Sequence, residues 1–201
     1  RITVDDLIVG ESDGYVDVVV SPSAPGQSNV TVNYSYGNET ASNYYDYNGI
    51  QGTLTFAAGE TTKVVRLEIE DDTTAEGFET FYMTLNTPSN ATLAKSYSLI
   101  GIVDDDSVVE TPNLFVRDVT VDEKAGTATF FVMLGGPDGQ SSNGTVTVNY
   151  ATAGGAAVAG TDFVAKAGTL TFAPGETVKA VTVVINDDAS AEKFERFGLN
   201  L

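Results

Sequence analysis

Of the 201 residues, 28 are Asp or Glu, and Asp71, Asp72, Glu76 and Glu79 crowd into nine consecutive positions. Side chains of this type at this density offer hard oxygen donors and nothing else. Neighbouring carboxylates repel, so holding several on one rigid turn costs stability unless a counter-charge neutralises them. For an all-oxygen donor set the fitting counter-charge is a hard cation, Ca²⁺ ahead of Mg²⁺. A solvated acidic turn is the plainer alternative for a single stretch of this kind. Other metal and nucleophile chemistry is closed off, because the chain has no Cys and no His. That removes disulfides, thiolate and imidazole ligation, and the Ser–His and Cys–His catalytic pairs.

Strands must hold this block. It leads into Phe78, Thr80, Tyr82 and Thr84 alternating with Glu79, Phe81, Met83 and Leu85, the pattern of a half-buried strand. Shorter alternating runs lie at 2–4, 15–20, 30–36, 53–56, 62–69 and 96–103. Turn signals such as Asp13-Gly14 and Ala58-Gly59-Glu60 separate them. No helical periodicity exceeds a single turn.

The chain then repeats itself. Glu11 and Gly14 recur as Glu123 and Gly126, VTVNY at 30–34 recurs at 146–150, and GTLTF at 52–56 recurs at 168–172. Asp46 recurs as Asp162, and Asp71, Asp72, Glu76 and Glu79 recur as Asp187, Asp188, Glu192 and Glu195 with unchanged spacing. A period of this size means tandem domains. Two independent surface turns would not keep every acidic position, which disfavours the solvated-turn reading. The expected layout is all-β: residues 1–107 as one immunoglobulin-like antiparallel β-sandwich, a short linker at 108–112, and residues 113–201 as a second.

Loops at one end of such a sandwich converge. Nine carboxylates of the first copy belong there if the end faces the next domain: Glu11, Asp46, Asp71, Asp72, Glu76, Glu79, Asp104, Asp105 and Asp106. One Ca²⁺ takes about six to eight oxygens, so nine carboxylates suit a multi-ion cluster. Neither an EF-hand loop nor a Gly-rich nonapeptide repeat is present.

These features together resemble the Calx-beta domain family: the upstream Glu11, Tyr45-Asp46-Tyr47 before GTLTF, the Ala58-Gly59-Glu60-Thr61 turn, the Asp71–Glu79 block and the terminal Asp104-Asp105-Asp106. The resemblance spans nearly the whole chain as two copies. It implies an immunoglobulin-like sandwich with a Ca²⁺ cluster at its distal end, the nine carboxylates as ligands and the carbonyl of Thr74 among them. In the second copy it implies Glu123, Asp162, Asp187, Asp188, Glu192 and Glu195. The second set of terminal aspartates would fall near position 220, past Leu201, so the second sandwich is expected to lack its last strand and to hold a weaker cluster. An unpaired sheet edge is a template for strand addition, although an excised piece of a longer protein is the plainer expectation.

Charge and composition bound the function. With a net charge of −18, nucleic acid and anionic membranes are poor partners, whereas multivalent cations are good ones. No apolar run is long enough to span a membrane, and Arg1-Ile2-Thr3-Val4 is not a signal peptide. An acidic, Thr-, Asn- and Gly-rich β chain without Cys resembles bacterial secreted or cell-surface proteins. The Asn-x-Ser/Thr sequons at Asn29, Asn33, Asn38, Asn90 and Asn143 receive no function, since such triplets arise easily in Thr-rich chains. The leading reading is a Ca²⁺-binding structural or adhesive module, its ions stiffening the junction with neighbouring repeats. Alternatives are a Ca²⁺-sensing regulatory pair and a filament subunit assembled by strand complementation. Catalysis is disfavoured because every carboxylate belongs to a repeated set at strand ends.

Overall fold

The computed structural model describes residues 1–187 and 194–201, which divide into two units, Arg1–Ser107 and Val108–Leu201. In the first unit, alternation of apolar and polar residues produces β1 (Ile2–Val4), β2 (Leu7–Gly10), β3 (Tyr15–Pro22), β4 (Val30–Asn38), β5 (Tyr47–Asn48), β6 (Gly52–Phe56), β7 (Lys63–Ile69), β8 (Glu79–Ser89) and β9 (Tyr97–Val103). They form a four-stranded sheet, β1-β3-β7-β5, and a five-stranded sheet, β2-β9-β8-β4-β6. The core lies between them: Val18, Val20 and Leu67 from one sheet pack with Val32, Phe81, Met83 and Ile100 from the other. All are buried at every second position of their strands, as a two-residue side-chain period requires.

One pairing departs from the antiparallel expectation. Leu7–Gly10 is a strand of its own, parallel to β9, with Leu7 opposite Ile100 and Gly10 opposite Val103. Asp5 and Asp6 carry the chain across from the first sheet, where β1 pairs with β3, to the second. Parallel pairing has a direct consequence for the site: β2 and β9 both end at the same edge. The residues following them, Glu11 and Asp104, therefore emerge side by side.

The second unit builds β10 (Leu114–Val116), β11 (Thr127–Leu134), β12 (Val146–Ala153), β13 (Ala167–Phe172), β14 (Val178–Val184) and β15 (Gly198–Asn200). Its sheets run β10-β11-β14 and β13-β12-β15. Registers repeat those of the first unit, Val30 opposite Phe56 becoming Val146 opposite Phe172. So does a central aromatic stack: Tyr47 on Phe81 at 3.9 Å between centroids, Phe163 on Phe197 at 4.2 Å. Val108 and Val109, expected in a linker, already pair with Ser141. Residues 119–121, the counterpart of β2, form no ladder among the described residues. Helical structure among the described residues is confined to three-residue 3-10 turns, so no helix is long and apolar enough to cross a membrane.

Candidate metal centre

Strand ends place the first unit's carboxylates. Glu11 opens a 3-10 turn (Glu11–Asp13) directly after β2, and Gly14 closes it at φ +73°, a left-handed conformation that a side chain would strain. Asp46 precedes β5, whose Tyr47 pairs with Ile69 at the end of β7, just ahead of Asp71 and Asp72. Glu79 begins β8 opposite Ile102, one residue from the end of β9 and two from Asp104. Five strand ends, those of β2, β5, β7, β8 and β9, thus deliver all nine carboxylates to one edge of the sandwich.

Two groups form there. In the first, carboxylate oxygens of Glu11, Asp104 and Asp106 lie within 4.8 Å of one another. Glu11 is 6 % exposed and Asp104 only 2 %. The Asp72 N–H donates to Glu11 Oε1 at 3.3 Å, and the Ser107 N–H to Asp104 Oδ2 at 3.3 Å. Asp104 Oδ1 and Asp106 Oδ2 are buried with no hydrogen-bond partner. None of these three carboxylates takes part in an ion pair among the described residues; the pairs lie at Glu60–Lys63, Asp17–Arg66, Asp6–Lys95 and Glu176–Lys179. Burial above all, and then the charges of Asp104, Asp72 and Asp105, pushes Glu11 up to about 8, against the bond from Asp72. Burial, then the charges of Asp104, Asp72 and Asp71, raise Asp106 as well.

In the second group, oxygens of Asp46, Glu76 and Glu79 lie within 4.8 Å of one another. Asp46 is fixed by the Ser42 N–H at 2.5 Å and through its carbonyl by Glu70 N–H at 3.1 Å. Burial, reinforced by the charges of Asp46 and Glu76, pushes Glu79 up to about 7. Glu76 is raised by burial and by Asp46, Asp72, Asp104 and Asp106, which ties the two groups into one field. Asp72 runs the other way, held low by the Thr74 N–H at 2.5 Å. Asp71 acts on Asp105 and Asp106. Thr74 contributes that N–H.

Ligand oxygens on opposite sides of a Ca²⁺ stand about 4.6–5.2 Å apart, twice the ordinary bond length. Both groups fit that span, and their all-oxygen donors match a hard cation rather than a soft one.

The second unit repeats the scaffold more fully than the cluster. The Val158 N–H donates to Asp162 Oδ2 at 2.5 Å, as Ser42 does to Asp46, and the Asn186 N–H donates to the Asp162 carbonyl. Glu123 sits in the matching 3-10 turn, closed by Gly126 at φ +74°. Glu123, Asp162 and Glu195 line one cleft, where burial and the charges of Asp162 and Glu123 raise Glu195. Asp187 follows β14 and is exposed, while Asp188 and Glu192 lie outside the described residues.

Some positioning residues carry no sequence signal. Ser42 acts through its backbone, so its side chain advertises nothing. Ser12 bonds the Asp105 carboxylate, one serine among many. Asp13 caps its own turn by accepting from the Gly10 N–H at 3.0 Å, which the Asp-Gly pair could have indicated. The Tyr44-Tyr45-Tyr47 group divides: Tyr47 is buried in the core, whereas Tyr44 and Tyr45 are 79 % and 78 % exposed.

The family model of the Calx-beta domain matches residues 2–106 and, again, residues 104–201. FRAS1-related extracellular matrix protein 2 of Homo sapiens is 33 % identical over 153 residues, covering 73 % of this chain and 5 % of that protein. Sodium/calcium exchanger 1 of Rattus norvegicus is 30 % identical over 190 residues, covering 86 % of this chain and 19 % of the exchanger. The chain thus spans only a small part of these relatives. Among solved structures, calcium binding domain CBD12 of CALX1.1 superimposes with a TM-score of 0.52 at 26 % identity, over 90 % of this chain and 74 % of that one. CBD12 from CALX1.2 gives 0.51 at 26 % identity, over 92 % and 74 %. The chain belongs to the Calx-beta domain family and carries two consecutive copies of the domain.

Proposed function

We propose that this chain is a Ca²⁺-binding domain pair of an extracellular or cell-surface protein, and that bound ions order the acidic end of each domain. The observation that carries this reading is Asp104: a carboxylate 2 % exposed, with one oxygen lacking any partner, packed against Glu11 and Asp106. A buried charge is tolerated when it is paired or coordinates a metal, and among the described residues no Lys or Arg pairs with this one. A cation among these three, with a second among Asp46, Glu76 and Glu79, satisfies both groups. Asp71, Asp72, Asp105 and the Thr74 carbonyl stand near enough in sequence to complete the shells. Support also comes from the solved relative described as a calcium binding domain, and from the extracellular matrix relative for the location.

The role is structural before it is catalytic. Ion binding is then folding energy, because ions hold loops that otherwise repel. Asp104–Asp106 immediately precede Val108, where the second unit begins, so ordering them stiffens the chain at the junction. In the second unit, Glu123, Asp162, Asp187, Asp188, Glu192 and Glu195 form the corresponding but weaker set. Thermal unfolding in Ca²⁺, Mg²⁺ and chelator tests the reading. A Ca²⁺-specific rise in melting temperature, blunted in Asp72→Ala, is expected; curves that coincide under all three conditions leave only a solvated acidic surface.

A further inference from the structure

The five-stranded sheet of the first unit carries a cleft of about 390 Å³, lined by Asn33, Ser35, Gln51, Thr53 and Asn86 among others. Asn33, Ser35 and Asn86 alternate with Val32 and Leu85, which are buried in the core, so the cleft lies on the outer face of the sheet. Its volume falls among those of small-molecule sites, about 300–1,000 Å³. No residue lining it is charged, in a chain whose net charge is −18. The lining is also arranged in advance. The Thr53 hydroxyl donates to Asn33 Oδ1 at 2.8 Å, Asn33 Nδ2 to Thr87 Oγ1 at 2.6 Å, and the Thr87 hydroxyl to Asn86 Oδ1 at 3.1 Å. Among the described residues, Asn86 Nδ2, the Ser35 hydroxyl and the Gln51 amide have no protein hydrogen-bond partner. A bulge makes the middle link. Thr31 faces Ser89 whereas Asn33 faces Asn86, so the register of β4 on β8 shifts between them. Thr87, in that shift, sits at φ +43°, a conformation rare for a β-branched residue. Bulges re-aim side chains beside binding sites, and backbone strain persists where function requires it.

We propose that this cleft binds an uncharged oligosaccharide. Amides and hydroxyls both donate and accept, which matches the hydroxyls of a sugar, while the acidic chain repels polyanions. Tyr97 extends the site. Ser35 faces Thr84 and Thr84 faces Tyr97, so the ring stands in the same row, about 10 Å away across two strands. It is 49 % exposed and held by an edge contact with Tyr82 at 5.9 Å, leaving apolar surface for the C–H face of a sugar. That spacing calls for an oligosaccharide rather than a single sugar. The second copy supplies the contrast. Thr169 still donates to Asn149 at 2.7 Å, but Ala151 and Ala167 stand where the first copy has Ser35 and Gln51. The cross-strand bond thus belongs to the fold, and the free polar groups to this cleft. Asn86 lies seven residues along β8 from Glu79, about 20 Å, so sugar binding is independent of the acidic end and of any cation there.

The test titrates the ¹⁵N-labelled 201-residue chain with cellohexaose, xylohexaose, maltohexaose, mannohexaose and chitohexaose, and with a heparin hexasaccharide, in chelator and in Ca²⁺. Amide chemical shifts are followed to about 10 mM sugar, which covers a Kd near 1 mM. At least one neutral sugar should shift the amides of residues 33–35, 51–53 and 86–87 saturably, with the same Kd in both buffers, and the heparin fragment should not. Asn86→Ala should weaken that binding about tenfold through lost hydrogen bonds. The double variant Ser35→Ala with Gln51→Ala, which carries the residues of the second copy, should weaken it similarly while its melting temperature stays near that of the wild type. The site is overturned if no neutral sugar shifts these amides, if both variants bind as the wild type does, or if the heparin fragment alone binds. Binding that requires Ca²⁺ also overturns it, since no cation ligand lines the cleft.

Discussion

Replacing Asp104 by Asn keeps the side chain's shape and removes one charge from the buried group, so its effect should change sign with the ion. The ligand atoms of Glu11, Asp104 and Asp106 are at most 4.8 Å apart. At an effective dielectric near 20, two unit charges at that separation repel by about 3.5 kcal/mol. At neutral pH Glu11, pushed up to about 8, mostly keeps its proton, which leaves Asp106 as the main opponent of Asp104. Without ions, Asp104→Asn should therefore stabilise the first unit by about 2–3 kcal/mol, roughly 10 °C or more in melting temperature for a domain of this size. With saturating Ca²⁺ the substitution removes a ligand, so the ion-induced rise should shrink. Tyrosine fluorescence isolates the relevant transition, because eight of the nine tyrosines precede residue 108. Urea or thermal unfolding of both proteins, in chelator and in Ca²⁺, gives the four numbers needed. A variant that is less stable than wild type in chelator, yet shows an undiminished Ca²⁺ response, would refute the electrostatic account of the cluster.

Other consequences are simpler to state. Glu11 and Glu79 bind protons more tightly folded than unfolded, with values of about 8 and about 7 against 4.5. Ion-free stability should then fall as pH rises from about 4.5 to 8; a urea midpoint in chelator that climbs over this window contradicts the assignment. The Ca²⁺-induced stabilisation should grow across the same window, since the ligands must lose their protons. Tyr44 sits at φ +76° where the second copy has Gly160 at φ +92°, so Tyr44→Gly should not destabilise and should gain about 1 kcal/mol; a loss of that size would show that the exposed ring makes unseen contacts. Phe81→Ala removes a fully buried ring stacked on Tyr47 and should cost about 3–5 kcal/mol in urea unfolding, a loss under 1 kcal/mol arguing against this core.

Much of the frame was legible because it depends on local period and on repetition. The alternation from Phe78 to Leu85 became β8, and the repeated VTVNY and GTLTF became paired strands with the same register in both units. The Leu7–Gly10 strand was not legible. It is four residues long, ends in Gly and exists only through a parallel partner some 90 residues away, a contact that local periodicity does not encode. The site shows the same division. Repetition singled out Glu11, Asp46, Asp71, Asp72, Glu76 and Glu79, and the family resemblance added Asp104–Asp106, but their separation into Glu11–Asp104–Asp106 and Asp46–Glu76–Glu79 follows from which strands end together. That Asp104 is buried while Asp71 and Asp72 are exposed could not come from the string of aspartates itself, since their chemistry is identical.

The central claim is that the acidic end of the first unit holds calcium, and counting bound ions tests it most directly. Chelator-stripped protein is dialysed to equilibrium against labelled Ca²⁺ with Mg²⁺ in excess, as wild type, Asp104→Asn and Glu79→Gln. The account predicts at least two Ca²⁺ retained per chain, with each substitution on a different group lowering the count or the affinity separately. A chain that retains no Ca²⁺ above the buffer, or retains it equally in all three proteins, would contradict it.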